Sequence, residues 1–100
     1  MKRVVVTGIG LLTPLGDSLK KTWNALINSE SGIQSIDHFN TEDLPCKIAG
    51  YINHNSNKKN FFDVLKYIKQ KEIKKIDRFI IYGLAASIQA VEDSGIEELT

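Results

Sequence analysis

One cysteine in a hundred residues leaves no room for an internal disulfide or for a zinc site built from several thiolates. That lone thiol, Cys46, suits a reducing compartment, and the chain reads as cytoplasmic. Histidine is almost as scarce: His38 and His54 are the only two, and their spacing with Cys46 suggests no metal site. No apolar stretch approaches the roughly 20 residues of a membrane helix. The run before Gly8 is too short for the apolar core of a signal peptide, and no cleavage site follows it. Net charge is only +1, so the total points to no class of partner.

The distribution of that charge says more. Residues 1–57 balance five basic side chains with five acidic ones. Residues 58–78 carry eight basic residues against three acidic ones, and residues 79–100 carry four acids and no base. A cationic stretch on a near-neutral chain suits an acidic macromolecular partner, with a solvated surface helix as the plain alternative. Only Tyr67 interleaves an aromatic ring with these lysines, which gives little support to a nucleic acid as that partner.

The remaining 42% apolar content is ordinary for a soluble globular chain, and its placement is informative. Val4-Val5-Val6 offers no polar position to water and predicts a short strand buried on both faces. Gly8 and Gly10 are expected to turn the backbone sharply, with Thr13-Pro14 and Gly16 ending the turn before a helix. The glycines approach a dinucleotide-binding turn, but Thr13 stands where the third glycine belongs, and Pro14 has no N–H to give a phosphate. A structural turn is therefore preferred, and a nucleotide-binding half-domain is the lesser reading.

Asp17 or Ser18 can cap a helix running to about Asn28, with Leu19, Trp23, Leu26 and Ile27 on one face. Gly32 is the expected left-handed terminator after it. Residues 33–47 read as a loop, Lys47–Ile52 as a short strand, and Asn53–Asn60 as a polar, mobile connection. A short helix is expected from Phe61 to about Gln70, with Phe62, Leu65 and Tyr67 or Ile68 inward. The longest helix should run from about Lys75 to Ser94 and stop at Gly95. It is apolar around most of its circumference, as in a helix buried inside a large protein or at a subunit interface. Such a helix and one doubly buried strand cannot satisfy each other within 100 residues, so the natural protein is expected to continue beyond Thr100, or the chain to be a fragment.

Cys46 lies in Leu44-Pro45-Cys46-Lys47 with no histidine beside it. A nucleophilic thiolate wants a helix N-terminus or an adjacent imidazole base, so an inert loop cysteine is the better reading.

The run Val4-Val5-Val6-Thr7-Gly8-Ile9-Gly10-Leu11-Leu12-Thr13-Pro14-Leu15-Gly16 resembles the first strand and turn of the β-ketoacyl-[acyl-carrier-protein] synthases. The likeness continues in order through Thr22-Trp23-Asn24-Ala25-Leu26, Ser31-Gly32-Ile33, Ile36-Asp37-His38-Phe39 and Ile48-Ala49-Gly50. It resumes at Lys74-Lys75-Ile76-Asp77-Arg78-Phe79-Ile80-Ile81-Tyr82-Gly83-Leu84-Ala85-Ala86 and at Val91-Glu92-Asp93-Ser94-Gly95. Ile36–Phe39 is closer to synthase II than to synthase I. The resemblance implies an α/β chain, residues 1–100 forming the N-terminal part of a thiolase-like layered α-β-α-β-α fold that is incomplete here. It implies a homodimeric acyltransferase performing decarboxylative condensation in fatty acid elongation, with acyl carrier protein as partner and no cofactor. The family's nucleophilic cysteine and two histidines fall beyond position 100, so Cys46, His38 and His54 match none of them and no catalytic residue is expected in this chain. What carries over is a basic edge before the long helix, Lys71, Lys74 and Lys75, placed to meet the acidic carrier protein. A non-catalytic interaction module from a split or truncated gene is the alternative.

Overall fold

The computed structural model describes residues 2–96. Two compact units divide the chain: Thr13–Phe62 is one, and Met1–Leu12 with Asp63–Thr100 is the other.

The unit Thr13–Phe62 starts with a tight turn in which Thr13 and Gly16 exchange backbone hydrogen bonds of 2.9 and 3.1 Å. Helix α1 (Leu19–Ile27) follows, capped by Ser18, whose Oγ accepts the Lys21 N–H at 3.2 Å. Thr22 and Ala25 are its buried residues, and the Thr22 hydroxyl lies 2.9 Å from that of Thr13. Two small side chains let the helix seat closely on the turn, and so Leu19, Trp23, Leu26 and Ile27 face outward, Trp23 being 60% exposed. The apolar face exists as the periodicity predicts, but on the solvent side of the unit.

The helix ends in a Schellman motif, with Ser29 N–H on the Leu26 carbonyl at 3.1 Å and Glu30 N–H on that of Ala25 at 3.0 Å. Ser29 takes the left-handed conformation at φ 60, displacing Gly32 from the role expected of it. Strand β1 (Ile33–Ser35) pairs antiparallel with β2 (Ile48–Gly50), Gln34 opposite Ala49. The first of these replaces part of the expected loop, because three residues are too few to show alternation and pairing alone defines them. Asn53 is buried: its amide accepts from Gln34 Nε2 at 3.2 Å and donates to the Lys59 carbonyl at 2.9 Å. Its backbone carbonyl takes the Phe62 N–H at 2.8 Å, bringing in the Phe62 ring, the largest fully buried side chain among the described residues.

In the other unit, Val4, Val5 and Val6 form no strand, and Val4 is 95% exposed. A strand is made by its neighbours, and among the described residues none pairs with this segment. Beyond it the backbone lies along α3 (Arg78–Ser94). Ile9 N–H donates to Asp93 Oδ2 at 3.0 Å and Leu11 N–H to Gln89 Oε1 at 3.2 Å, while Gln89 Nε2 donates to the Tyr67 hydroxyl at 3.1 Å. Two residues of extended chain span about 6.6 Å and four of helix about 6 Å, so alternate amides meet successive helical turns. Gly8 and Gly10 make no sharp turn and have no positive φ; they are the points of closest approach. A Cβ built at Gly8 would stand 2.3 Å from the Ala90 carbonyl oxygen, and one at Gly10 1.9 Å from that of Ala86.

The helix expected from Phe61 to Gln70 is a single 3-10 turn, Val64–Lys66, capped by Asp63, with α2 (Gln70–Ile73) after it. Ile68 is buried there and Leu65 is exposed. Asp77 adopts an extended conformation, so α3 starts at Arg78, later than the apolar pattern suggests. Gly95 ends it at φ 67, as its position predicts. Ile81 and Ala85 are the buried residues of α3, whereas Phe79, Ile80, Leu84 and Val91 are exposed.

Candidate functional site

Lys71 lies in α2, Lys74 is its C-terminal capping residue, and Lys75 follows in the turn leading to α3. All three are exposed, as are Lys66 and Lys69. Lys69, Gln70, Lys71 and Lys74 border an open hollow of about 530 Å³. In Thr13–Phe62, Lys21 pairs with Asp17 at 3.0 Å, Lys58 with Asp37 and Lys59 with Glu30. Lys69, Lys71, Lys74 and Lys75 make no such pair among the described residues. Their charge is not spent internally. Arranged around a short helix and turn, these ammonium groups can attract an acidic surface without a costly desolvation, because they stay wet until contact.

The sulfur and imidazoles stand in other settings. Cys46 is exposed and its thiol donates to the Ile48 carbonyl at 3.3 Å. The His38 ring packs against Phe39 and Tyr51, each at a centroid distance of 4.8 Å. The Tyr51 hydroxyl lies 2.9 Å from the Ser35 carbonyl and 3.2 Å from Asp37 Oδ1. His54 meets the Phe62 ring edge-on at 5.8 Å. No thiol–imidazole hydrogen bond joins Cys46 to either histidine among the described residues. Nor do three or more His, Cys, Asp or Glu side chains converge to hold a metal ion among them. No helix of the described residues is long and apolar enough to cross a membrane.

The amides of Ile9 and Leu11, which a phosphate cradle in the glycine segment would use, are taken by Asp93 and Gln89. This disfavours the nucleotide-binding reading. On α3, burial pushes the Tyr82 phenol above its ordinary value of 10.0, while the Arg78 charge and hydrogen bond pull it back.

Sequence reasoning missed one cavity of mixed lining, of about 130 Å³, within Thr13–Phe62. Glu30, Gln34, Asn53, Lys59 and Asn60 line it, with Asn60 held at φ 62 and its amide donating to the Pro14 carbonyl at 3.3 Å. The only sequence signal was the Asn- and Lys-rich run, whose meaning depends on which distant segments it meets.

Residues 1–100 match the family described as beta-ketoacyl synthase, N-terminal domain. The chain is 44% identical over 96 residues to 3-oxoacyl-[acyl-carrier-protein] synthase 2 of Vibrio cholerae serotype O1, covering 96% of this chain and 22% of that protein. It is 42% identical over 96 residues to the synthase 2 of Vibrio harveyi, covering 96% and 21%. Against the synthase 2 of Synechocystis sp. it is 37% identical over 93 residues, covering 93% and 21%. The chain thus spans about a fifth of the length of the curated relatives it matches.

Proposed function

The chain belongs to the β-ketoacyl synthase family, and from that premise we propose that it is the amino-terminal portion of a 3-oxoacyl-[acyl-carrier-protein] synthase of the second type. In the complete reaction a cysteine accepts the acyl chain from carrier protein and two histidines assist decarboxylation of malonyl-carrier protein. The resulting carbanion attacks the thioester, forming the new carbon–carbon bond, while backbone N–H groups hold the oxyanion. Those groups belong to sequence outside these residues, so this chain alone is inactive. Its own part is scaffold and docking edge, acting in the cytoplasm within a homodimer. Lys71, Lys74 and Lys75 orient the acidic carrier so that its prosthetic arm is delivered.

The observation that carries this reading is the match of all 100 residues, in order, to one family. The bare apolar surfaces support it: Val4–Val6 and the Leu19-Trp23-Leu26 face of α1 are what a layered thiolase-like fold would cover with further strands and helices. The test is to read the coding frame past the Thr100 codon and assay the encoded protein for malonyl-dependent condensation. An open frame reaching a cysteine in a small-residue turn and two later histidines, with activity lost on replacing that cysteine, is the expected result. An authentic stop at Thr100 would leave a non-catalytic remnant and defeat the enzymatic reading.

A further inference from the structure

The first turn of α3 holds a phenyl ring in water. Phe79 is 71% exposed, and Lys74, Lys75, Asp77 and Arg78 around it in the chain are exposed as well. The buried residues of the helix lie elsewhere on its circumference: Ile81 is turned about 160° from Phe79 and Ala85 about 120°. Gly83, one turn further along, has nothing within 4 Å of where a Cβ would stand, so the helix is bare on that side. Helical side chains lean toward the helix N-terminus, which tips the ring toward the Lys74-Lys75 turn.

Covering this ring with more of the same protein would take the neighbouring charges out of water. Over residues 71–78 four bases, Lys71, Lys74, Lys75 and Arg78, stand against two acids, Glu72 and Asp77. Neither acid forms an ion pair with these lysines among the described residues. Desolvating unpaired ammonium groups costs more than one buried ring returns. An acidic partner is the exception, because its carboxylates pair with the lysines as its surface meets the ring.

We propose that Phe79 is the apolar anchor of the docking edge: its ring enters an apolar recess bordered by acids of the carrier protein, while Lys71, Lys74 and Lys75 pair with those acids around it. The two kinds of side chain differ in range. Ammonium groups act across about 10 Å of solvent and speed the encounter, but wet pairs separate easily. A buried ring acts only in contact and slows departure. It also adds selectivity, since lysines accept any acidic surface, whereas Phe79 gains nothing from one without a recess to take it. An anchor here presupposes the docking role given above to the lysines, and binding kinetics tell the two apart.

The measurement is stopped-flow association and dissociation of labelled acyl carrier protein with the family-length protein, at about 0.05 and 0.5 M salt. Phe79→Ala should raise the dissociation rate at least about tenfold, leave the association rate within about twofold, and keep the salt dependence of the parent. Phe79→Leu should recover most of the loss, and poly-glutamate should bind the parent and Phe79→Ala alike. A dissociation rate unchanged by Phe79→Ala, with binding still weakened by charge reversal at Lys71, Lys74 and Lys75, overturns the anchor and leaves the docking edge standing. Binding indifferent to both sets of substitutions removes edge and anchor together. Thermal unfolding supplies the second readout: an exposed ring can be removed with the melting temperature held. A Phe79→Ala variant that melts early has lost a buried ring, and that too overturns the proposal.

Discussion

Replacing Lys71, Lys74 and Lys75 together with glutamate is expected to weaken binding of acyl carrier protein at least about tenfold, with the largest loss at low salt. The three side chains are exposed, and none pairs with an acid among the described residues, so their reversal should disturb little else. It turns a local surplus of five positive charges over residues 58–78 into a deficit of one. Exposed ion pairs contribute about 0.2–1 kcal/mol each, so three lost attractions together with new repulsion reach the roughly 1.4 kcal/mol that a tenfold change requires. The measurement is a titration of the family-length protein carrying these residues with labelled carrier protein, between about 0.05 and 0.5 M salt. Lys21→Glu is the control, since Lys21 serves Asp17 within the other unit. Equal affinity for the triple variant and the parent would remove the docking edge while leaving family membership intact.

Gly10→Ala should lower stability by about 1–3 kcal/mol, which is large for the addition of one methyl group. The new Cβ would lie 1.9 Å from the Ala86 carbonyl oxygen and 2.6 Å from the Ala90 amide nitrogen, both backbone atoms of α3 that cannot swing aside. Either the extended segment lifts off the helix, losing the Leu11–Gln89 bond, or the helix deforms. Gly83→Ala makes the contrast. It sits within the same helix with open space around it, and should stabilise by up to about 1 kcal/mol through helix propensity alone. Urea unfolding of the two variants beside the parent checks both signs; a neutral Gly10→Ala would show that the segment does not rest on α3.

What could be read from the sequence is what local chemistry decides. Ser18 caps α1 because its hydroxyl accepts an amide whatever lies beyond, and Gly95 ends α3 because few other residues tolerate φ 67. The lysine-rich edge was visible as charge, and the turn between α2 and α3 places it. What stayed hidden depends on partners. Three valines specify a strand only if strands lie beside them. The periodicity of α1 marked an apolar face but not its direction, and Thr22 and Ala25 took the inner position instead. Gly8 and Gly10 read as a turn because glycine most often serves one, whereas here the missing side chains make room for a helix more than 75 residues away. The Asn53 network joins Gln34, Lys59 and Phe62, and no local pattern announces it.

The lashing of the glycine segment to α3 leaves a mark on the exchange of backbone hydrogens with heavy water. Ile9 and Leu11 have their amides bound to Asp93 and Gln89, while Val4, Val5 and Val6 lie open to solvent. Exchange along the first dozen residues should therefore rise and fall with a period of two past the valines, slow at Ile9 and Leu11, even though no second strand makes the pattern. A stretch of chain with that rhythm would pass for β-structure in such a record, when its partner is the side of a helix.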